Sequence, residues 1–307
     1  MERLKVNTHP FLSESVLSAL NQNDIFTARD FISYDSQKLA KIGLLLFKEI
    51  IEIKKTLLKK YAAISENGYD SYLDLVKNSA LIPSGIKSID EFLEGGFLTS
   101  SIYEIYGRAA CGKSLLAYMF MKNIVMKMKQ ICFLLDSKHD FSAEKFHLLC
   151  TEYSTEDLVN GLSRISIKFI QNKYDLLNCL QEISENLEEK SSMLRFIVID
   201  SLAAVFLNNI DHSLNNLCLT HLANIMHFIT TRYHVTILVI NLMSTWVEGD
   251  FGTQIGTKQT VSCGRFWFTV PNTRIKLERE QHHLRLSIEK SNTLSLKTVF
   301  IPLADIT

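Results

Sequence analysis

Gly107-Arg108-Ala109-Ala110-Cys111-Gly112-Lys113-Ser114 is a complete G-x-x-x-x-G-K-[ST] match. It follows an apolar run, 101–106, that reads as a strand, and it opens a stretch, 113–129, that reads as a helix. The chemistry requires that setting. Glycines let the backbone curl until successive N–H groups face one point, and a helix N-terminus adds partial positive charge there. In such a loop Lys113 reaches the terminal phosphates of a nucleotide, and the Ser114 hydroxyl ligates Mg2+. The whole run, with Arg108, Ala109, Ala110 and Cys111 between the two glycines, is therefore the expected phosphate cradle. Cys111 reads as a tolerated filler, although a helix N-terminus favours a thiolate.

From Leu81 onward short apolar runs alternate with amphipathic stretches. Strands are expected at 131–135, 165–170, 195–199 and 236–240, and helices at 142–150, 174–187 and 217–233. Near-continuous apolar strands alternating with helices predict an α/β fold, a mostly parallel sheet covered on both faces. After residue 264 only strands are expected, at 265–270, 273–278, 283–289 and 297–302, extending one edge in antiparallel fashion. The run Arg195-Phe196-Ile197-Val198-Ile199 ends in Asp200, which sets a carboxylate at the C-terminal edge of the sheet. Ligands bind there in α/β folds, and a nucleotide's Mg2+ needs such a partner.

Residues 1–60 read as a small helical bundle. Val16, Leu17 and Leu20 share a face, and a longer stripe runs from Leu44 through Ile53 to Leu57 and Leu58. Asp24, Thr27 and Ser33 or Asp35 are candidate caps. Residues 61–80 carry Ser65, Asn67, Gly68 and Asp70 and read as a linker with a helical tail, which leaves 81–307 as the core domain.

Composition narrows the classes. The 307 residues are 47% hydrophobic and 21% charged, with 33 basic and 33 acidic side chains, which excludes disordered and collagen-like chains. No apolar run approaches a membrane span, and the start lacks the apolar centre of a signal peptide. Six cysteines without a C-x-x-C pair read as reduced thiols, neither a disulfide framework nor a zinc site. His282-His283 is no metal pair, because adjacent strand residues point to opposite faces. A net charge of zero argues against a broadly basic nucleic-acid coat. Of only 12 glycines, five fall between Gly85 and Gly112 and four between Gly249 and Gly264, marking two windows of special backbone geometry.

Ser84-Gly85, Ile89-Asp90, Leu93 and Gly95-Gly96, ahead of the phosphate loop, resemble the lead-in motif of the RecA-like recombinases of eukaryotes and archaea. The order of helical domain, linker and ATPase core is similar too. The run from Gly264 through Arg265, Phe266 and Trp267 to Thr273, Arg274 and Ile275 is similar to the D type of the recombinase paralogues. The resemblance implies ATP and Mg2+ as cofactors, with Ser114 and Asp200 at the metal. It also implies a nuclear location and a hetero-oligomer with other paralogues. Tyr61-Ala62-Ala63-Ile64 stands where family members carry a motif that docks on a neighbouring subunit; a plain helix-end packing role is the competing reading.

Two departures stand out. Where the family has Asp-Thr-Glu-Gly, whose Glu activates water, this chain has Asp136-Ser137-Lys138-His139, and an ammonium is no base of that kind. Asp140 would need a shifted loop to substitute. Where the family has Asn-Gln facing the γ-phosphate, this chain has Asn241-Leu242, and leucine donates no hydrogen bond. Slow hydrolysis is expected. The two DNA loops, near 206–217 and 243–263, are poor in positive charge, Lys258 being their only Lys or Arg. Single-stranded DNA is therefore expected to bind weakly to this chain alone, with Trp246 as a candidate stacking residue. Arg265, Arg274, Lys276 and the lysines between Lys54 and Lys60 are the candidate basic contacts. An assembly factor in homologous recombination is the preferred reading; an active DNA-stimulated ATPase that forms its own filament is the alternative.

Overall fold

The structure, a computed structural model, describes residues 3–42, 45–61, 67–189, 194–206, 212–247 and 257–305. The chain divides into two compact units, residues 1–73 and 74–307.

The first unit is helical, with helices at Glu14–Asn21, Ala28–Ser33, Ser36–Ile42 and Phe47–Tyr61. Val16 and Leu20 bury one face of the first helix; Ile50, Ile53 and Leu57 bury one face of the last, around Leu12 and Phe31. Leu58 falls off that stripe and is exposed. Thr27 caps the second helix: its hydroxyl accepts from Asp30 N while the Asp30 carboxylate accepts from Thr27 N. These hydrogen bonds hold the Asp30 carboxyl below the usual carboxylate range. Asp35 accepts from Lys38 N at the start of the third helix. Asp24 caps nothing; it lies at φ +59° in the turn that follows the first helix.

Strands of the second unit are β1 Leu81–Ile82, β2 Phe97–Leu98, β3 Ile102–Gly107, β4 Ile131–Asp136, β5 Ile165–Phe169, β6 Leu194–Asp200, β7 Thr236–Val247, β8 Thr257–Val261, β9 Thr273–Arg279, β10 His283–Ser291 and β11 Thr298–Pro302. The main sheet has the order β11-β10-β9-β3-β7-β6-β4-β5, with β8 on β7. Pairings from β9 through β3, β7, β6 and β4 to β5 are parallel, whereas β10 and β11 add an antiparallel edge. The expected mostly parallel sheet with an antiparallel C-terminal end is the fold observed.

Each central strand feeds both faces. On β6, Phe196 and Val198 enter one core and Ile197 and Ile199 the other; on β7, Leu238 and Ile240 oppose Ile237 and Val239. Period-two alternation with both faces covered leaves no polar position, which is why these strands read as unbroken apolar runs. Phe97 anchors the first core edge-on to Tyr103, Phe120 and Phe196, with ring centroids 5.0, 5.0 and 5.5 Å away.

One expected strand is a helix. Phe266, Trp267, Phe268 and Val270 favour the strand expected at 265–270. Instead Cys263 and Gly264 turn through positive φ and start a helix at Gly264–Thr269. Trp267 and Val270, three apart on one face, are buried, and Phe266 and Phe268 are exposed. Short helices at Lys87–Phe92, Thr155–Leu162 and Leu202–Phe206 were not expected. The expected 113–129 helix is regular over Lys113–Lys122 and widens into a π turn over Asn123–Lys127. A helix also spans Gly68–Asn78, inside the stretch read as a linker.

Candidate functional site

Register gathers the loop ends at one edge of the sheet. Gly107 lies opposite Leu242, Asp200 opposite Ile240, and Asp136 opposite Asp200, so β3, β6 and β4 end together while β7 runs on past Leu242 to pair with β8. There a cleft of about 630 Å3 opens, lined by residues 109–114 with Lys138, Asp140, Asp200, Leu242 and Arg279. It sits at the C-terminal edge of the parallel strands, where α/β sheets take ligands.

The loop needs its glycines. Gly112 has φ +100° at the cap of the Lys113 helix, and a Cβ on Gly107 would lie 2.2 Å from the Leu277 carbonyl oxygen. Lys113 folds back over the loop, its ammonium donating to the carbonyls of Gly107 at 3.0 Å and Arg108 at 2.6 Å. A side chain held there is aimed across the cradle that the backbone N–H groups form. Cys111 is buried beneath it.

The turn after β4 is built around Asp136. Its buried carboxylate accepts from the backbone N–H of Lys138 and of Phe141, both at 2.9 Å. Ser137 Oγ donates to the Ser201 carbonyl and accepts from Ser201 N, both at 2.7 Å, tying the turn to the end of β6. His139 stacks on Phe169 with centroids 5.0 Å apart. Lys138 is thereby directed into the cleft. Its Nζ lies 2.8 Å from Ser114 Oγ, 2.9 Å from Asp200 Oδ1 and 3.5 Å from Asp140 Oδ2. The Asp200 side chain is only 2% exposed. Neither of its oxygens receives an aligned hydrogen bond, so its charge compensation among the described residues is the Lys138 ammonium.

Ser114 and Asp200 are hard oxygen donors of the kind Mg2+ takes, and the buried Asp200 Oδ2 has no donor facing it. The donor set fits the ion, but the ammonium stands between the two side chains. The structure therefore brings Ser114, Asp200, Lys138 and Asp140 together. Among the described residues lining the cleft, Asp140 is the one carboxylate besides Asp200, half exposed and facing the ammonium. Nearby, burial raises the Tyr118 phenol strongly, with Asp200, Asp136 and Asp140 adding to the effect, so it stays protonated.

A second cluster behind the cleft was missed. Glu104 on β3 is fully buried and accepts from Asn241 Nδ2 at 2.8 Å, Trp267 Nε1 at 2.7 Å and the Arg274 guanidinium. Arg274 is 1% exposed, its guanidinium stacked against Tyr106 at 4.8 Å and Phe268 at 4.4 Å. Burial raises the Tyr106 phenol to about 12. The signal was present in the sequence: a glutamate inside an apolar strand demands a partner. Asn241 is thus committed to the core, while Leu242 faces the cleft without a donor.

Arg274 was read as a candidate DNA contact, and its burial against Glu104 removes it from that role. Lys276 pairs with Glu278 at 2.8 Å. Lys54 donates to the Tyr34 carbonyl, and its burial pulls its pKa down. Residues 207–211 and 248–256, parts of the expected DNA loops, and 62–64 of the docking motif lie outside the described residues, as do the side chains of Trp246 and Lys258.

No described helix is long and apolar enough to cross a membrane. The six cysteines are free thiols. Residues 77–300 match the Rad51 family, and residues 1–60 match the RAD51D N-terminal domain. DNA repair protein RAD51 homolog 4 of Bos taurus is 25% identical over 286 residues, which cover 91% of this chain and 86% of that protein. A probable RAD51 homolog 4 of Dictyostelium discoideum is 21% identical, covering 91% and 94%. DNA repair protein RAD51 homolog 2 of Homo sapiens is 22% identical, covering 94% and 84%. On the match over residues 77–300, supported by that over residues 1–60, the chain belongs to the Rad51 family and is a RecA-like recombinase paralogue of the D type.

Proposed function

We propose that this paralogue binds ATP as a fixed element of a hetero-oligomer with other recombinase paralogues, and that the assembly promotes recombinase filament formation on single-stranded DNA in the nucleus. The observation that carries the reading is a complete phosphate loop, Gly107 to Ser114, facing a cleft in which Asp140 and Asp200 are both engaged by Lys138. Binding needs the cradle and Lys113; hydrolysis also needs a base beside the attacking water. Nucleotide would therefore be held far longer than it is turned over. Mg2+, when bound, would be held by Ser114 and Asp200 and would neutralise charge on the phosphates.

Asp140 supports the second reading, an active DNA-stimulated ATPase that forms its own filament. It lines the cleft, and release from Lys138 would free it to take a proton. Turnover by the purified protein with and without single-stranded DNA separates the two readings. Negligible turnover, unchanged by DNA and raised in Lys138→Glu, is expected. Brisk DNA-stimulated turnover in the unmodified chain would reject the assembly reading in favour of the enzyme.

A further inference from the structure

We propose that Lys138 is a tethered cation standing in the Mg2+ position in place of the ion, so that nucleotide binding by this chain does not depend on a divalent ion; the proposal rests on the nucleotide reading above. Its Nζ lies within hydrogen-bond distance of Ser114 Oγ, at 2.8 Å, and within 2.9 Å of Asp200 Oδ1. Those are the side chains that hold the ion in a phosphate-loop protein, one from the loop and one from the strand end. Mg2+ requires an octahedron of oxygens at about 2.0–2.1 Å. The ammonium and the ion cannot occupy the space between these two side chains together.

The placement does not depend on the lysine stem alone. Asp136 fixes the Lys138 backbone, Ser137 ties the turn to Ser201, and His139 packs flat on Phe169. The stem therefore starts from a fixed point and spans a short gap. On the receiving side, Asp200 is buried and lacks any other cation among the described residues. An uncompensated buried carboxylate is costly, so the pair holds the ammonium in place before any ligand arrives.

Electrostatics give the consequence. An ordinary phosphate loop relies on its lysine plus a divalent ion to offset a triphosphate. Here two ammonium groups, Lys113 and Lys138, flank the same cradle. An ammonium offers three donors and no ligand-exchange chemistry, so it can neutralise phosphate charge but cannot polarise and release it as a metal does. Nucleotide retention without turnover follows from one side chain.

The test is the dissociation constant of radiolabelled ATP, by equilibrium dialysis, in Mg2+ and in EDTA, for the full-length unmodified chain and for Lys138→Gln. Tight binding by the unmodified chain, little changed by EDTA, is expected. Lys138→Gln should lose about tenfold or more in affinity when Mg2+ is chelated, the loss of a charge-assisted hydrogen bond. Titration of Mn2+ into the ATP complex, followed by electron paramagnetic resonance, should show tighter metal binding by Lys138→Gln. If chelation weakens the unmodified chain about tenfold or more, Mg2+ is required and the proposal is overturned while ATP binding stands. Equal indifference to EDTA in both chains would also overturn it, because the tolerance would then not come from Lys138. Failure to bind ATP in either condition would overturn this proposal and the nucleotide reading together.

Discussion

Arg274→Met should lower the stability of the unit spanning residues 74–307 by about 3–5 kcal/mol, the cost of leaving a buried charge without its partner. Glu104 is 0% exposed and would keep only the donors from Asn241 and Trp267. Neither carries a formal charge. For a unit of this size the melting temperature should fall by roughly 2–4 °C for each kcal/mol. The double variant Glu104→Gln, Arg274→Met should recover much of the loss, because the unpaired carboxylate disappears with its partner. Denaturant melts of the parent and the two variants check this. A single variant as stable as the parent would mean that Glu104 is neutral or solvated. The same experiment bears on function: a residue that the sequence suggested as a DNA contact should disturb the fold when replaced.

Lys113→Ala should weaken ATP binding about a hundredfold, as expected when charge-assisted contacts to phosphate are removed. In the structure Lys113 donates to the loop carbonyls of Gly107 and Arg108 and to Cys111 Sγ, partners it would exchange for phosphate oxygens. Its loss should leave the far-ultraviolet circular dichroism unchanged, since the helix that follows is held by Leu116, Ala117 and Phe120 in the core. Retained binding would place the nucleotide outside this loop.

How far the sequence could be read depended on the range of the interactions involved. The phosphate loop is local: eight consecutive residues carry their own geometry, and the strand before and helix after them are set by their own periodicity. The central strands were legible for a related reason, since burial on both faces leaves only apolar residues at 196–199 of β6 and 237–240 of β7. The 265–270 segment was not. Aromatic and β-branched residues suit a strand there, and the turn at Cys263 and Gly264 that overrides them gives little sign in composition. Glu104 and Arg274 stand 170 positions apart, so a buried glutamate announces the need for a cation but not which one. Lys138 was legible as a residue type and not as a position. That an ammonium replaces the family's carboxylate can be read from four residues; that it reaches Ser114 and Asp200 depends on strand register and the turn that Asp136 pins.

On the function proposed above, nucleotide serves assembly. That role is tested most directly by the affinity of this chain for another recombinase paralogue, measured by light scattering or surface capture with and without ATP, and with Lys113→Ala in place of the unmodified chain. A discrete hetero-oligomer is expected that weakens about tenfold without ATP, and weakens to the same extent in Lys113→Ala whether or not ATP is present, a coupling of ordinary size between two ligands. The same affinity in all of these conditions would contradict it.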